Sequence, residues 1–158
     1  MRVYNDFAIL ARDSSIDADD RMMSLFKIVD KFNVSLPSKS FKQIKEMKDS
    51  EVKLLSFPYV IASSWKLDRK VTKDYDAIIK IRLIDPSGTE LATSINDVTF
   101  NPGNSRIKIS GEIQKLGYTV DGEYTNEITF IDKSSNEELC KASIYFEIEV
   151  LEDIALES

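Results

Sequence analysis

The chain contains no histidine. That removes the commonest general base, the commonest metal ligand and any triad built on an imidazole. A single cysteine, Cys140, cannot close an internal disulfide. Its thiol has no histidine to activate it, and its parity with Ala142 and Ile144 marks it as buried and inert. The five glycines are scattered and form no phosphate-cradling loop. Neither Gly-x-Ser-x-Gly nor Ser-x-x-Lys occurs in a strand-to-helix context. No run approaches the ~20 apolar residues of a membrane span. The opening residues, Met1 to Asp6, have no signal-peptide architecture. These absences give the expectation of a cytoplasmic protein that is not an enzyme and holds no cofactor.

Positive charge is also in short supply. Lys and Arg number 21 against 27 Asp and Glu, a formal net charge of −6. Phosphate binding depends mostly on Lys and Arg, so nucleic acid and anionic membranes are not expected partners. A chain of 158 residues with 42% apolar content fits one domain that buries about 70% of its unfolded surface. Residues 1–152 are expected to form that domain, with 153–158 as a frayed acidic tail.

What is present is alternation. In Tyr75 to Ile84, Ile79, Ile81 and Leu83 fall on one side of a period-2 pattern, with Lys80 and Arg82 on the other. Pro86 and Gly88 then supply a tight turn, and Thr89 to Phe100 returns. Leu91 and Ile95 share one parity, Val98 and Phe100 the other, so a bulge is expected near Asn96-Asp97. The pattern Ile81-Arg-Leu-Ile-Asp85-Pro-Ser87 has a counterpart in Ile128-Thr-Phe-Ile-Asp132-Lys-Ser134. Two copies are too few for a solenoid; a duplication and convergence under the same sheet constraints both account for them.

Elsewhere, Val3 to Arg12 reads as a first strand, apolar on both parities. Met22, Phe26, Ile28, Phe32, Val34 and Leu36 hold one parity in a long, bent second strand that Pro37 ends. Ser38 to Ser50 is the one helix expected, with Ser40 and Gln43 at capping-box spacing and a narrow stripe of Phe41, Ile44 and Met47. Tyr59, Ile61, Trp65 and Leu67 mark a third strand, Ile107, Ile109 and Ile113 a sixth, with Gln114 to Val120 a loop or short strand. Ile128 and Phe130 mark a seventh, Cys140 to Val150 an eighth. About eight antiparallel strands with one short inserted helix predict an all-β sandwich, or else a closed barrel.

Gly122-Glu-Tyr124, opening a strand, resembles the tyrosine corner of immunoglobulin-like domains, and Trp65 resembles their buried core tryptophan. The cysteine pair of antibody domains is absent, so the likeness is to the architecture. Phe7 to Asp13, Ser24 to Phe32, Ile81 to Gly88 and Gly122 to Tyr124 together resemble the pattern of an uncharacterised family of small bacterial proteins. Lys39 to Lys53 departs from it. That resemblance covers most of the chain, implies a β-sandwich and brings no catalytic residues.

Candidate sites are few. Asp13, Asp17, Asp19 and Asp20 offer oxygen ligands for calcium, but an EF-hand would need Gly at its sixth position and Glu where Ile28 stands. Lys42, Lys45 and Lys48 would present a basic helix face to an acidic protein partner. Tyr118, beside a turn, is expected to be exposed. Because the first strand is apolar on both sides and is expected at a sheet edge, something must cover its second face. A homodimer with Leu10 or Met23 near the contact is one answer, and the lysine-rich helix is the other. The expected role is a non-enzymatic binding or assembly module; the alternative is a small-ligand or calcium-binding domain using the loops at one end.

Overall fold

A computed structural model describes residues 1–16 and 22–156. The chain is mostly β. Its strands are β1 (Val3–Ile16), β2 (Met23–Ile28), β3 (Lys31–Pro37), β4 (Lys53–Leu67), β5 (Tyr75–Ile84), β6 (Glu90–Phe100), β7 (Arg106–Tyr118), β8 (Gly122–Asp132) and β9 (Glu138–Asp153). The one α-helix, α1 (Ser38–Glu46), links β3 to β4, and a 3₁₀ turn, Ile154–Leu156, follows β9. No helix among the described residues is long and apolar enough to cross a membrane.

The strands form two separate sheets rather than one closed barrel. The first has the order β2-β1-β4-β7 and the second β3-β9-β8-β5-β6. They face each other across one core that includes Leu10, Tyr59, Trp65, Tyr124, Phe130 and Phe146. Trp65 of the first sheet lies 5.6 Å, centroid to centroid, from Phe130 of the second. The Trp65 indole is buried and donates to Ser63 Oγ at 2.9 Å, which satisfies its one donor.

Five expectations need correction. The long second strand is two strands, so nine are described rather than about eight. Lys27 has a φ of 54°; after Ile28, which still pairs with Ala11, the chain leaves the first sheet and enters the second. There β3 pairs with β9 in parallel, so the architecture is not wholly antiparallel. Phe32 and Val34 are buried as expected, but Met22 and Ile28 are exposed, because the crossing ends the shared parity. The helix stops at Glu46, and Pro37 precedes it with no side-chain cap, so Ser40 caps nothing. The bulge of the central hairpin is at Leu91, where Leu83 pairs with Ala92 and Ile84 with Glu90. Finally, β7 runs unbroken to Tyr118.

Two further irregularities have clear causes. Phe57 and Pro58 together oppose the single Gln114 between Ser56↔Lys115 and Tyr59↔Ile113, one extra residue on β4; Pro58 has no N–H to give the ladder, so a bulge is where it fits. In β1 the register shifts between Asn5 and Phe7. There Asn5 Nδ2 donates to Phe7 O and Ser64 O, which bridges the gap.

Candidate functional site

The loop end of the molecule is a closed polar network. The β5–β6 turn, residues 47–52 and the β7–β8 turn meet there around a depression of about 440 Å³. Asp85 Oδ1 accepts from Ser87 N, Ser87 Oγ and Thr89 N, and Oδ2 accepts from Thr119 Oγ1 at 2.8 Å. Burial alone would raise its carboxyl pKa; these hydrogen bonds outweigh that and hold it below the ordinary value. The buried Tyr124 hydroxyl donates to Val120 O at 2.7 Å and accepts from Thr119 N at 2.9 Å. This is the backbone-tying bond of a tyrosine corner. Lys53 Nζ, also buried, donates to Thr119 O and Lys48 O. Every one of these groups has a partner, so the network braces three turns and offers a ligand little.

Several predicted contact residues belong to that brace. Tyr118, expected to be exposed, is 2% exposed, and its hydroxyl donates to Asp121 Oδ1 at 2.7 Å. Burial, then the neighbouring Asp121, raises its pKa. Lys45 pairs with the same carboxylate at 3.1 Å. Lys48 lies beyond the end of α1, while Lys42 stays exposed on it. Lys42 and Lys45, three residues apart, share a side of α1, and Lys48 is not on the helix. Leu10 is wholly buried in the core and cannot meet a partner, because β1 points it toward Ile61 and the opposite sheet. Met23 is half-buried on β2. Cys140 is also half-buried rather than fully enclosed. Of the four aspartates, Asp13 is exposed and accepts from Ser14 N; Asp17, Asp19 and Asp20 lie outside the described residues. Among the described residues no group of three or more acidic or cysteine side chains is placed to hold a metal ion.

The outer faces of the two sheets differ sharply. On the second sheet Arg82 bridges Glu90 at 2.7 Å and Glu127 at 3.0 Å, and Lys141 reaches Glu127 and Glu138. On the first sheet Ala11 pairs with both Ile28 and Val60, and Ile9 pairs with Ala62. Ala11, Val60 and Ala62 are buried yet are not part of the core cluster. On the same face Phe7 and Ile9 are half-exposed and Ile28 is 66% exposed. The helix does not lie there, since it packs on β3 and β9. Nor is β1 an edge strand: it lies between β2 and β4.

A second apolar feature is a cleft of about 150 Å³ between the free edges of β6 and β7. Ile61, Ile81, Leu83 and Ile113 wall it, and Leu54, 67% exposed, stands at its mouth. Asn126, 1% exposed, lines the cleft from β8. Its Nδ2 is the one buried side-chain nitrogen or oxygen without a hydrogen-bond partner among the described residues. The Tyr59 hydroxyl stands nearby, its pKa pushed up to about 12 by burial with a partial offset from Asn126, but the two make no hydrogen bond of normal geometry. Such an unmet donor costs on the order of 1–3 kcal/mol. The signal for Asn126 was in the sequence: it shares parity with Tyr124, Ile128 and Phe130, a polar residue at an inward position.

No family model and no curated protein matches the chain. Solved structures with some likeness include a β-glucuronidase from Bacteroides uniformis, at TM-score 0.47 and 14% identity over 60% of this chain and 12% of that one. An immunoglobulin-like protein from Pseudomonas aeruginosa aligns at TM-score 0.41 and 11% identity over 94% of this chain and 98% of that one. A Pseudomonas fluorescens alkylpurine DNA glycosylase, solved with DNA containing an abasic site analog, aligns at TM-score 0.40 and 13% identity over 63% and 30%. The chain thus spans about an eighth of the glucuronidase.

Proposed function

We propose that this protein is a non-catalytic assembly module of immunoglobulin-like sandwich architecture that self-associates through the outer face of its first sheet. The architectural reading is supported by β4 and β7 adjacent in one sheet and β5, β8 and β9 adjacent in the other, as strands B and E, and C, F and G, are in such domains. The tyrosine-corner bond of Tyr124 supports it too.

The observation that carries the assembly reading is the apolar strip of Phe7, Ile9, Ala11, Ile28, Val60 and Ala62. The outer face of the second sheet is laced with ion pairs across its strands, whereas the middle of the first sheet's outer face is apolar. A contiguous apolar patch rimmed by polar residues is the usual mark of an interaction site. The rim here includes Arg106, which pairs with Asp6 at 2.8 Å, and exposed Lys108 and Glu112. Strand addition at the edges of the first sheet is disfavoured. The β7 edge carries alternating charges, and the β2 edge is short, with Lys27 at a positive φ. A face-to-face twofold pairing meets the patch's shape, because an isologous contact needs only one self-complementary surface.

Sedimentation equilibrium tests this. The wild-type protein is expected to dimerise, burying on the order of 1,200–2,000 Å² in total. Ile28→Lys, at a position already exposed, is expected to give a folded monomer. A wild-type protein that stays monomeric up to ~100 μM sinks the reading.

A further inference from the structure

We infer that the cleft between β6 and β7 is a binding site for a small, neutral, mostly apolar molecule that carries one carbonyl acceptor, such as a short-chain amide or ester. The walls select the tail. Ile61, Ile81, Leu83, Leu91 and Ile113 present aliphatic surface from both sheets. Asn126 Nδ2 selects the head: it is a buried N–H donor on the wall of the cleft, and the Tyr59 hydroxyl beside it makes no hydrogen bond of normal geometry with it. An acceptor seated within its reach would give this donor a hydrogen bond.

Charge decides between a neutral and an ionised head. Lys115 is the only charged side chain lining the cleft, and it is exposed on β7. A carboxylate drawn in to Asn126 would lose its hydration with no buried cation to compensate. Size sets the scale: about 150 Å³ is comparable to a cavity that holds one benzene ring. A molecule of roughly six or seven heavy atoms fits, and at that size a dissociation constant on the order of millimolar is reasonable.

The site is independent of the proposed dimer face. The first sheet runs β2-β1-β4-β7, so the cleft opens at the edge farthest from β2.

The test uses the full chain and three probes of matched chain length: N-methylbutanamide, butanoate and pentane. Binding is followed by nuclear magnetic resonance through the Asn126 side-chain amide and the Ile81 and Ile113 methyl groups. The amide probe is expected to give saturable shifts at all three positions. Pentane should bind at least tenfold more weakly and leave the Asn126 amide unmoved, and butanoate should give no saturable shift. Asn126→Leu is expected to abolish the preference for the amide over pentane. Ser94→Trp, an exposed change at the mouth, should block all probes while leaving the melting temperature and the sedimentation behaviour unchanged. Absence of saturable shifts with the amide in the wild-type protein overturns the inference, as does butanoate binding as tightly as the amide. Undiminished binding in Ser94→Trp overturns it as well, and does so even where Asn126→Leu fails to fold.

Discussion

Tyr124 shows how much one hydroxyl can organise. It gives its proton to Val120 O and receives the Thr119 amide, tying the β7–β8 turn to the strand it starts. Gly122, two residues earlier, has a φ of +146°, and a Cβ there would stand 3.0 Å from Pro86 Cγ. A side chain at that position would be strained and crowded at once. Tyr124→Phe keeps the ring and removes the bond, leaving a buried N–H and a carbonyl short of a partner. The expected cost is about 1–3 kcal/mol, read as a shift in urea midpoint with an unchanged slope. A variant as stable as the wild type would show that the turn is held by packing alone.

At the scale of elements, the internal similarity between residues 81–87 and 128–134 has a physical explanation. Asp85 Oδ1 accepts from the amide and hydroxyl of Ser87, and Asp132 Oδ1 accepts from the amide and hydroxyl of Ser134. Each pair caps the turn that leaves its strand, an Asx arrangement that favours Asp and Ser at this spacing. Shared turn chemistry therefore accounts for the likeness without a duplication. The two caps differ in their second oxygen. Asp85 Oδ2 holds buried Thr119, while Asp132 Oδ2 receives the half-exposed Tyr75 hydroxyl at 2.8 Å. Water can replace the carboxylate at Tyr75 but not at Thr119. Asp85→Ala should accordingly cost about 1–3 kcal/mol more than Asp132→Ala. Equal losses in chemical denaturation would show that the Thr119 bond contributes nothing net.

For the molecule as a whole, these groups set a pH window. Asp132 is held low by the Ser134 hydroxyl and the Ser135 amide. In Asp85 and Asp121, hydrogen bonds overcome the upward pull of burial. Their folded pKa values lie below the unfolded value of about 3.9. Their contribution is present above that pH and is lost as pH falls through the folded values. Tyr59 works in the other direction. Burial raises its pKa to about 12, so its contribution is complete below pH ~10 and is lost as pH rises through the folded value. Tyr75, Tyr118 and Tyr124 are raised as well, by burial first. Stability is expected to be flat from about pH 5 to 9 and to fall on both sides. Tyr59→Phe should remove up to about 3 kcal/mol of the alkaline decline, two units at roughly 1.4 kcal/mol each. Denaturation midpoints measured from pH 8 to 12 check this; an unchanged alkaline slope in the variant would refute it.

The sequence by itself determined what depends on near neighbours. Period-2 alternation placed the central hairpin, the buried parity of Tyr59, Ile61, Trp65 and Leu67, and the inward row from Ile144 to Val150. Asp, Pro and Gly at fixed offsets placed its turn, and Gly122-Glu-Tyr124 announced its corner. Tertiary structure alone decided what depends on distant partners. The crossing between Ile28 and Lys31 separates β2 from β3, because each must find a sheet edge, one beside β1 and the other beside β9. The interior position of β1 follows from pairing with residues some fifty positions away. The anchoring of the Tyr118 hydroxyl and of Lys45 depends on Asp121, a turn residue whose neighbours no local pattern could reveal. Asn126 lies between the two cases: its inward parity was visible in the chain, but only the packing of two sheets around it left its amide without a partner.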